Sequence, residues 1–148
     1  MAEPYAFLLS AVIFAPFIEE FAKAFPLFYR HGETQRSIFT LGFLVGLGFG
    51  VVEFFIYVFV LNVPFEFRLP GIFFHAATTS IIAYGVATKR TLWFYLIAVF
   101  LHFSLNFAAF LNRTGSYGDL SFVLAYAIAA STFFLSWRLF LRTSEKTF

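Results

Sequence analysis

The chain lacks cysteine and has few charged residues, and each absence excludes a class of function. With no thiol among its 148 residues, it has no disulfide, no thiolate metal site and no cysteine nucleophile. Charged residues make up 12% of the chain, against about a quarter in soluble domains. The basic residues lie mostly at the ends of apolar segments and form no patch or stripe, so the net charge of +2 does not indicate a nucleic-acid partner.

Hydrophobic residues are abundant enough to indicate an integral membrane protein. They make up 61% of the chain, which includes 26 phenylalanines and has a mean hydropathy of +0.84. Segments long enough to cross a bilayer core, roughly 20 residues each, cover 5–28, 38–61, 70–87, 92–111 and 120–141. Because an open sheet cannot pair its backbone in lipid, we expect helices. We predict an all-α polytopic bundle of about five transmembrane helices with no soluble domain, and residues 1–148 as a single transmembrane domain.

The distribution of Lys and Arg between the loops predicts the orientation in the cytoplasmic membrane. Basic residues concentrate on the cytoplasmic side of membrane proteins. Positions 30, 36, 89, 90, 142 and 146 fall on one side of the bundle, whereas Arg68 and Arg113 fall on the other. The amino terminus is therefore predicted to be outside and the carboxyl terminus cytoplasmic.

Three charged residues, Glu19, Glu20 and Lys23, stand inside the first apolar segment. Each charge at that depth costs at least ~2.5 kcal/mol, so such residues are expected only where they face protein or water. On a helix Lys23 can reach either carboxylate. One interpretation is a buried ionic cluster that fixes helix packing. The other pairs one glutamate with Lys23 and turns the second into a cavity as a base.

The second segment combines a glycine series with a carboxylate. Gly42, Gly46 and Gly50 recur every four residues, which is typical of a surface on which a neighbouring helix packs closely. Glu53 follows Gly50 by three residues and lies on the same helix face. A helix that packs on these glycines should therefore also contact Glu53.

The third and fourth segments add two imidazoles and an amide: His75, and then His102 and Asn106 four residues apart. Taken singly, a histidine or asparagine in a membrane helix is most often a partner in an interhelical hydrogen bond. Together with the glutamates, however, the set is complete for hydrolysis, with a base for water and donors for an oxyanion. It could equally hold a metal through both histidines and one or two carboxylates.

These residues, taken in order, resemble the motifs of the PrsW family of intramembrane proteases, in a wider superfamily with CAAX prenyl endopeptidases and bacteriocin-processing enzymes. The matching motifs are Glu19-Glu20-x-x-Lys23, Gly46-x-Gly48-Phe49 with Glu53, His75-Ala76 and His102-x-x-x-Asn106. Lys23, where CAAX-type members have Arg, and Gly71, four residues before His75, favour the PrsW branch.

The resemblance implies a site-1 type protease that cuts a membrane-anchored peptide or protein, an anti-sigma factor in PrsW itself. Glu19 and His75 would activate water, His102 and Asn106 would form the oxyanion site, and Glu20 would pair with Lys23. Counted at 1.5 Å per residue, the site residues of the other helices, Glu53, His75, His102 and Asn106, fall roughly 8 to 14 Å below the outer surface. Glu19 falls about 20 Å below it, so helix one would have to be tilted, or kinked at Pro16, to bring Glu19 level.

Other functions remain open from the sequence. In a metal-dependent form of the same protease, His75, His102 and Glu19 would hold zinc, although the glutamate mechanism without a cofactor is favoured. A proton or cation pathway also uses carboxylates and histidines along a bundle. An inactive module that binds peptides is the fourth reading. The expected partners are the lipid bilayer and a membrane-anchored substrate, with the oligomeric state undetermined.

Overall fold

Five long helices make up the fold. The computed structural model describes residues 3–30, 33–115 and 118–147. The helices are α1 (Tyr5–Tyr29), α2 (Gln35–Val60), α3 (Phe65–Ala87), α4 (Thr91–Arg113) and α5 (Gly118–Phe140). Each contains a window long and apolar enough to cross a membrane, and no strand forms within the described residues. The prediction of an all-α membrane bundle is confirmed, and the chain is an integral membrane protein.

Helix α3 is the centre of the bundle. It contacts all four of the other helices, and 61% of its apolar window is buried, compared with 11% to 22% for the other four. Residues 74–83 are buried without interruption. A side chain on this stretch is therefore surrounded by protein and not by lipid, which is where an ionisable group is tolerated in a membrane.

The glycine series of α2 packs directly against α3, as predicted. A Cβ atom added to Gly42 would lie 2.5 Å from the Cβ of Ala83, and one added to Gly50 would lie 2.7 Å from the Cα of Ile72. At Gly46 it would collide with the backbone of His75. The glycines thus allow two helix backbones to touch at the level of His75.

Helix α3 begins at Phe65, so the prediction that it begins at Pro70 is wrong. Pro70 lies inside the helix, where its missing N–H leaves the carbonyl of Glu66 without its helical partner. The hydroxyl of Tyr126 on α5 donates to that carbonyl at 3.3 Å. A side chain distant in sequence therefore replaces the lost bond. One consequence is that Arg68, taken for a loop residue, belongs to the helix.

Helix α1 is irregular just before Pro16. Residues Leu8–Phe14 form π-helical turns, and the backbone N–H of Ala15 bonds to the carbonyl of Ser10, five residues back. In the same register the carbonyl of Ala11 would need the N–H of residue 16, which proline lacks. The side-chain amide of Asn106 on α4 donates to Ala11 at 2.9 Å instead. The helix is thus irregular next to Pro16, where the sequence predicts a tilt or a kink.

Candidate active site

Lys23 lies at the centre of a buried polar cluster. Its ammonium donates to Glu20 Oε1 at 2.7 Å, to His75 Nδ1 at 2.9 Å and to Thr78 Oγ1 at 3.4 Å. These three contacts use all the donors that an ammonium has. Lys23 and Glu20 are both buried, and the ring of Phe49 lies 5.1 Å from the ammonium. The cluster ties α1 to α3 and satisfies the charge of Lys23 completely.

The tautomer of His102 follows from its partner. Its Nδ1 lies 2.8 Å from Glu20 Oε1, and an ionised carboxylate can only accept, so Nδ1 carries the hydrogen. In the neutral imidazole the Nε2 atom then presents a lone pair, and it lies 3.7 Å from Glu19 Oε2. A carboxylate that holds one imidazole nitrogen so that the other can coordinate is the usual arrangement behind metal-binding histidines.

His75 is engaged at both ring nitrogens. Because the ammonium of Lys23 can only donate, Nδ1 of His75 accepts, and the hydrogen sits on Nε2. That Nε2–H donates to Glu53 Oε2 at 2.6 Å. The other oxygen of Glu53 pairs with Arg68 at 2.9 Å, and the Arg68 guanidinium stacks on Tyr57 at 3.5 Å. Glu53 faces α3 beside the glycines, as its position in the motif predicted.

Glu19 has a buried oxygen with no partner. Among the described residues, the buried side-chain atoms that lack a hydrogen bond are Glu19 Oε2, Glu20 Oε2 and Arg68 Nε. Glu19, His75 and His102 can each offer one ligand atom, and these atoms lie within 4.8 Å of one another. An unpaired carboxylate oxygen next to an imidazole lone pair fits a divalent cation such as zinc. His75 would fit only by giving up a hydrogen bond, since its Nδ1 accepts from Lys23 and its Nε2 donates to Glu53.

A cavity of about 300 Å³ lies beside this cluster, between α2, α3, α4 and α5. Its lining includes Glu53, His75, His102 and Asn106, in walls that are mainly apolar. The remaining predicted site residues, Glu19, Glu20 and Lys23, are not part of that lining. Helix α1 holds them next to the two histidines, with Lys23 against His75 and both glutamates against His102.

Sequence reasoning missed several residues that shape the site. Arg68 lines the cavity and holds Glu53, and Thr78 accepts from Lys23. Phe49, which the motif contains without a role, packs edge-on against His75 at 5.1 Å between ring centroids. Asn112, taken for a loop residue, also lines the cavity. One feature of the sequence could have indicated Arg68. This charged residue stands only two positions before Pro70, where the apolar run of the third segment begins.

Fold and site together define a polytopic helical membrane protein with a buried histidine and carboxylate centre of the kind that hydrolases use. The model of the PrsW family intramembrane metalloproteases matches residues 2–135, and the chain belongs to that family. No curated protein and no solved structure matches the chain.

Proposed function

We propose that this protein is a metal-dependent endopeptidase that cuts a membrane-anchored peptide or protein within the outer half of the cytoplasmic membrane. The observation that carries the proposal is the unpaired, buried Glu19 Oε2 beside the lone pair of His102 Nε2. Family membership supports intramembrane proteolysis in general. The outer position follows from the predicted orientation, in which the α2–α3 and α4–α5 loops are outside.

The residues that would hold the metal are Glu19, His102 and His75, which is the set predicted for the metal alternative. When bound, a zinc ion would polarise the scissile carbonyl and lower the pKa of a water molecule. Glu20 would fix the orientation of His102 through its 2.8 Å bond. Lys23 would balance the charge of Glu20, since the two form a 2.7 Å ion pair.

Glu53 is the residue that we assign as general base. Among the described residues that line the cavity, Glu53 is the one that carries a carboxylate, whereas Glu19 is not part of the lining. Its Oε2 atom is 2.6 Å from His75 and becomes available when that bond opens. Glu53 would then take a proton from water and deliver it to the leaving amine. This assignment replaces the one that the resemblance suggested, in which Glu19 is the base.

Arg68 and Asn106 are the donors that we assign to the oxyanion. Both line the cavity, and Arg68 Nε is buried without a partner. Asn106 uses one amide hydrogen on Ala11 and retains the second. His102 would not donate here, because its Nε2 carries no hydrogen in this tautomer. A buried donor aimed at a developing charge contributes about 3 to 4 kcal/mol to catalysis.

A glutamate mechanism without a metal is the second candidate. It is favoured by the hydrogen bonds of His75, which engage both ring nitrogens. In that form Glu53 and His75 would activate water between them, and Glu19 would contribute charge only.

The test uses purified protein in liposomes with single-span reporter proteins, whose products are identified by mass spectrometry. We expect cleavage that stops after dialysis against a zinc chelator, returns with zinc, and is lost in Glu53→Gln. Glu145→Gln is the control, since that exposed glutamate pairs with Arg36 outside the site. Full activity in protein that elemental analysis shows to be metal-free would refute the metal and leave the glutamate mechanism.

A further inference from the structure

An apolar groove runs along the lipid-facing surface between α3 and α5. Helix α3 contributes Pro70 and Phe73, and α5 contributes Ala129 and Ala130 among aromatic side chains. Its volume is about 500 Å³, and no charged residue lines it within the described part of the chain. Phe73 and Phe133 are half exposed, at 51% and 43%. This surface is open to the membrane on one side of the bundle.

The groove adjoins the cavity of the candidate active site. Pro70, Tyr126 and Ala129 line both. The two spaces therefore meet at these residues, one space apolar and the other lined by Glu53, His75 and His102. A segment lying in the groove has a short path from lipid to the polar site.

Tyr126 stands at this junction and holds α5 to α3. Its hydroxyl donates to the carbonyl of Glu66 that Pro70 leaves without a helical partner. The tyrosine is half exposed, at 49%, and the bond is long for a hydroxyl donor, at 3.3 Å. The hydrogen bond of Tyr126 is thus an exposed contact at the boundary between groove and cavity, whereas the Ser80–Ser136 bond joins the same two helices in the interior.

We propose that the α3–α5 groove binds the transmembrane helix of the substrate and delivers it past Tyr126 to the active site. This inference rests on the proposed function. Small residues such as Ala129 and Ala130 allow a second helix to approach closely, which is the usual basis of helix association in lipid. An apolar, uncharged groove suits a membrane-spanning helix. Because the groove and the cavity share Pro70, Tyr126 and Ala129 in their linings, a helix bound in the groove lies next to the active site.

The chemistry of cleavage explains why Tyr126 and Glu66 should sit at this junction. A helix must unwind locally before a peptide bond can be attacked, and its freed N–H and C=O groups then need partners in lipid. When the Tyr126 bond opens, it leaves one donor and one acceptor at the edge of the cavity. These two groups would pair with the unwound backbone.

The experiment fills the groove and compares two substrates. Ala130→Trp places an indole in the groove, and Ser131→Trp places one on the adjacent exposed position outside the groove lining. Each variant is assayed with the cleaved single-span reporter and with a short soluble peptide that contains the same cleavage site. We expect Ala130→Trp to raise KM for the reporter about tenfold and to leave kcat for the soluble peptide unchanged, and Ser131→Trp to change neither.

Equal effects of the two variants on the reporter would overturn the docking site while leaving the proposed protease intact. Absence of cleavage of both substrates by the unmodified protein would instead refute the proposed function. A photoreactive phenylalanine analogue at position 130 or 131 tests docking independently of turnover. Crosslinks to the reporter from position 130 alone support the groove, whereas crosslinks only to lipid or to a second copy of the chain overturn it.

Discussion

Replacing Gly46 by alanine tests whether the glycine surface positions the active site. A Cβ atom at Gly46 would lie 2.7 Å from the carbonyl carbon of His75 and 2.7 Å from Thr79 Oγ1. Ordinary contacts of this kind span 3.4–4 Å. The added Cβ would lie closer still to the carbonyl oxygen of His75, so helices α2 and α3 must separate by more than 0.7 Å at this level, or His75 must shift by that amount.

The expected magnitude follows from packing and from helix propensity. Forcing an extra methyl group into a packed contact costs about 1 to 3 kcal/mol. A change from glycine to alanine also stabilises a helix by up to ~1 kcal/mol, because alanine has the higher helix propensity. Gly48 provides the matched control, since an added Cβ there meets nothing within 4 Å and gains the same propensity. We therefore expect Gly46→Ala to be less stable than Gly48→Ala by about 1 to 3 kcal/mol.

The assay is reversible unfolding in mixed micelles, combined with turnover of the single-span reporter. Displacement of a catalytic group by about 1 Å lowers rates roughly 100-fold, so Gly46→Ala should lose most activity even where it is folded. Gly48→Ala should retain it. Equal stability and activity of the two variants would show that α2 does not position His75 through this contact, and the reasoning would fail.

Three further substitutions test the polar contacts. Lys23→Met leaves buried Glu20 uncompensated and should cost about 3 to 5 kcal/mol of unfolding free energy, much of it regained when Glu20→Gln is added. Asn106→Leu removes the donor to the α1 carbonyl and should cost about 1 to 3 kcal/mol in the same assay, whereas Asn112→Leu, in the same cavity, should cost less. Arg68→Lys keeps the charge but loses the planar fork, so reporter kcat should fall at least ~10-fold with KM little changed, and an unchanged kcat would remove it from the oxyanion site.

Patterns among residues close in sequence predict the membrane helices, one packing surface and one ion pair of this fold. Apolar length alone places the five membrane helices, because lipid requires helical pairing of the backbone. The spacing of Gly42, Gly46 and Gly50 predicts the surface on which α3 packs. The spacing between Glu20 and Lys23 allows an ion pair within one helix, and the structure contains it.

Contacts between distant residues account for what the sequence did not reveal. The apolar run alone predicts that α3 begins at Pro70. The helix continues back to Phe65, and the hydroxyl that replaces the bond missing at Pro70 comes from Tyr126 on α5, which no local pattern connects to Pro70. With α3 starting at Phe65, His75 lies ten residues, or roughly 15 Å, along the helix, nearer to the depth of Glu19 than first expected. Local spacing allows Lys23 to pair with either Glu19 or Glu20. In the structure Lys23 pairs with Glu20, where His75 of α3 contacts the ammonium and His102 of α4 contacts the carboxylate.

Two of the prolines in the membrane helices, Pro16 and Pro70, suggest where this bundle can move. Pro16 and Pro70 each leave a carbonyl without its helical partner, and in each case a side chain from another helix donates to it: Asn106 to α1 and Tyr126 to α3. Proline sites are where helices bend most readily. Because each replacement bond can be exchanged for a bond to water or substrate backbone at little net cost, α1 and α3 can change angle there without breaking their own hydrogen-bond ladders. Both sites border the candidate active site, so substrate access and metal-ligand geometry would be coupled through these two contacts.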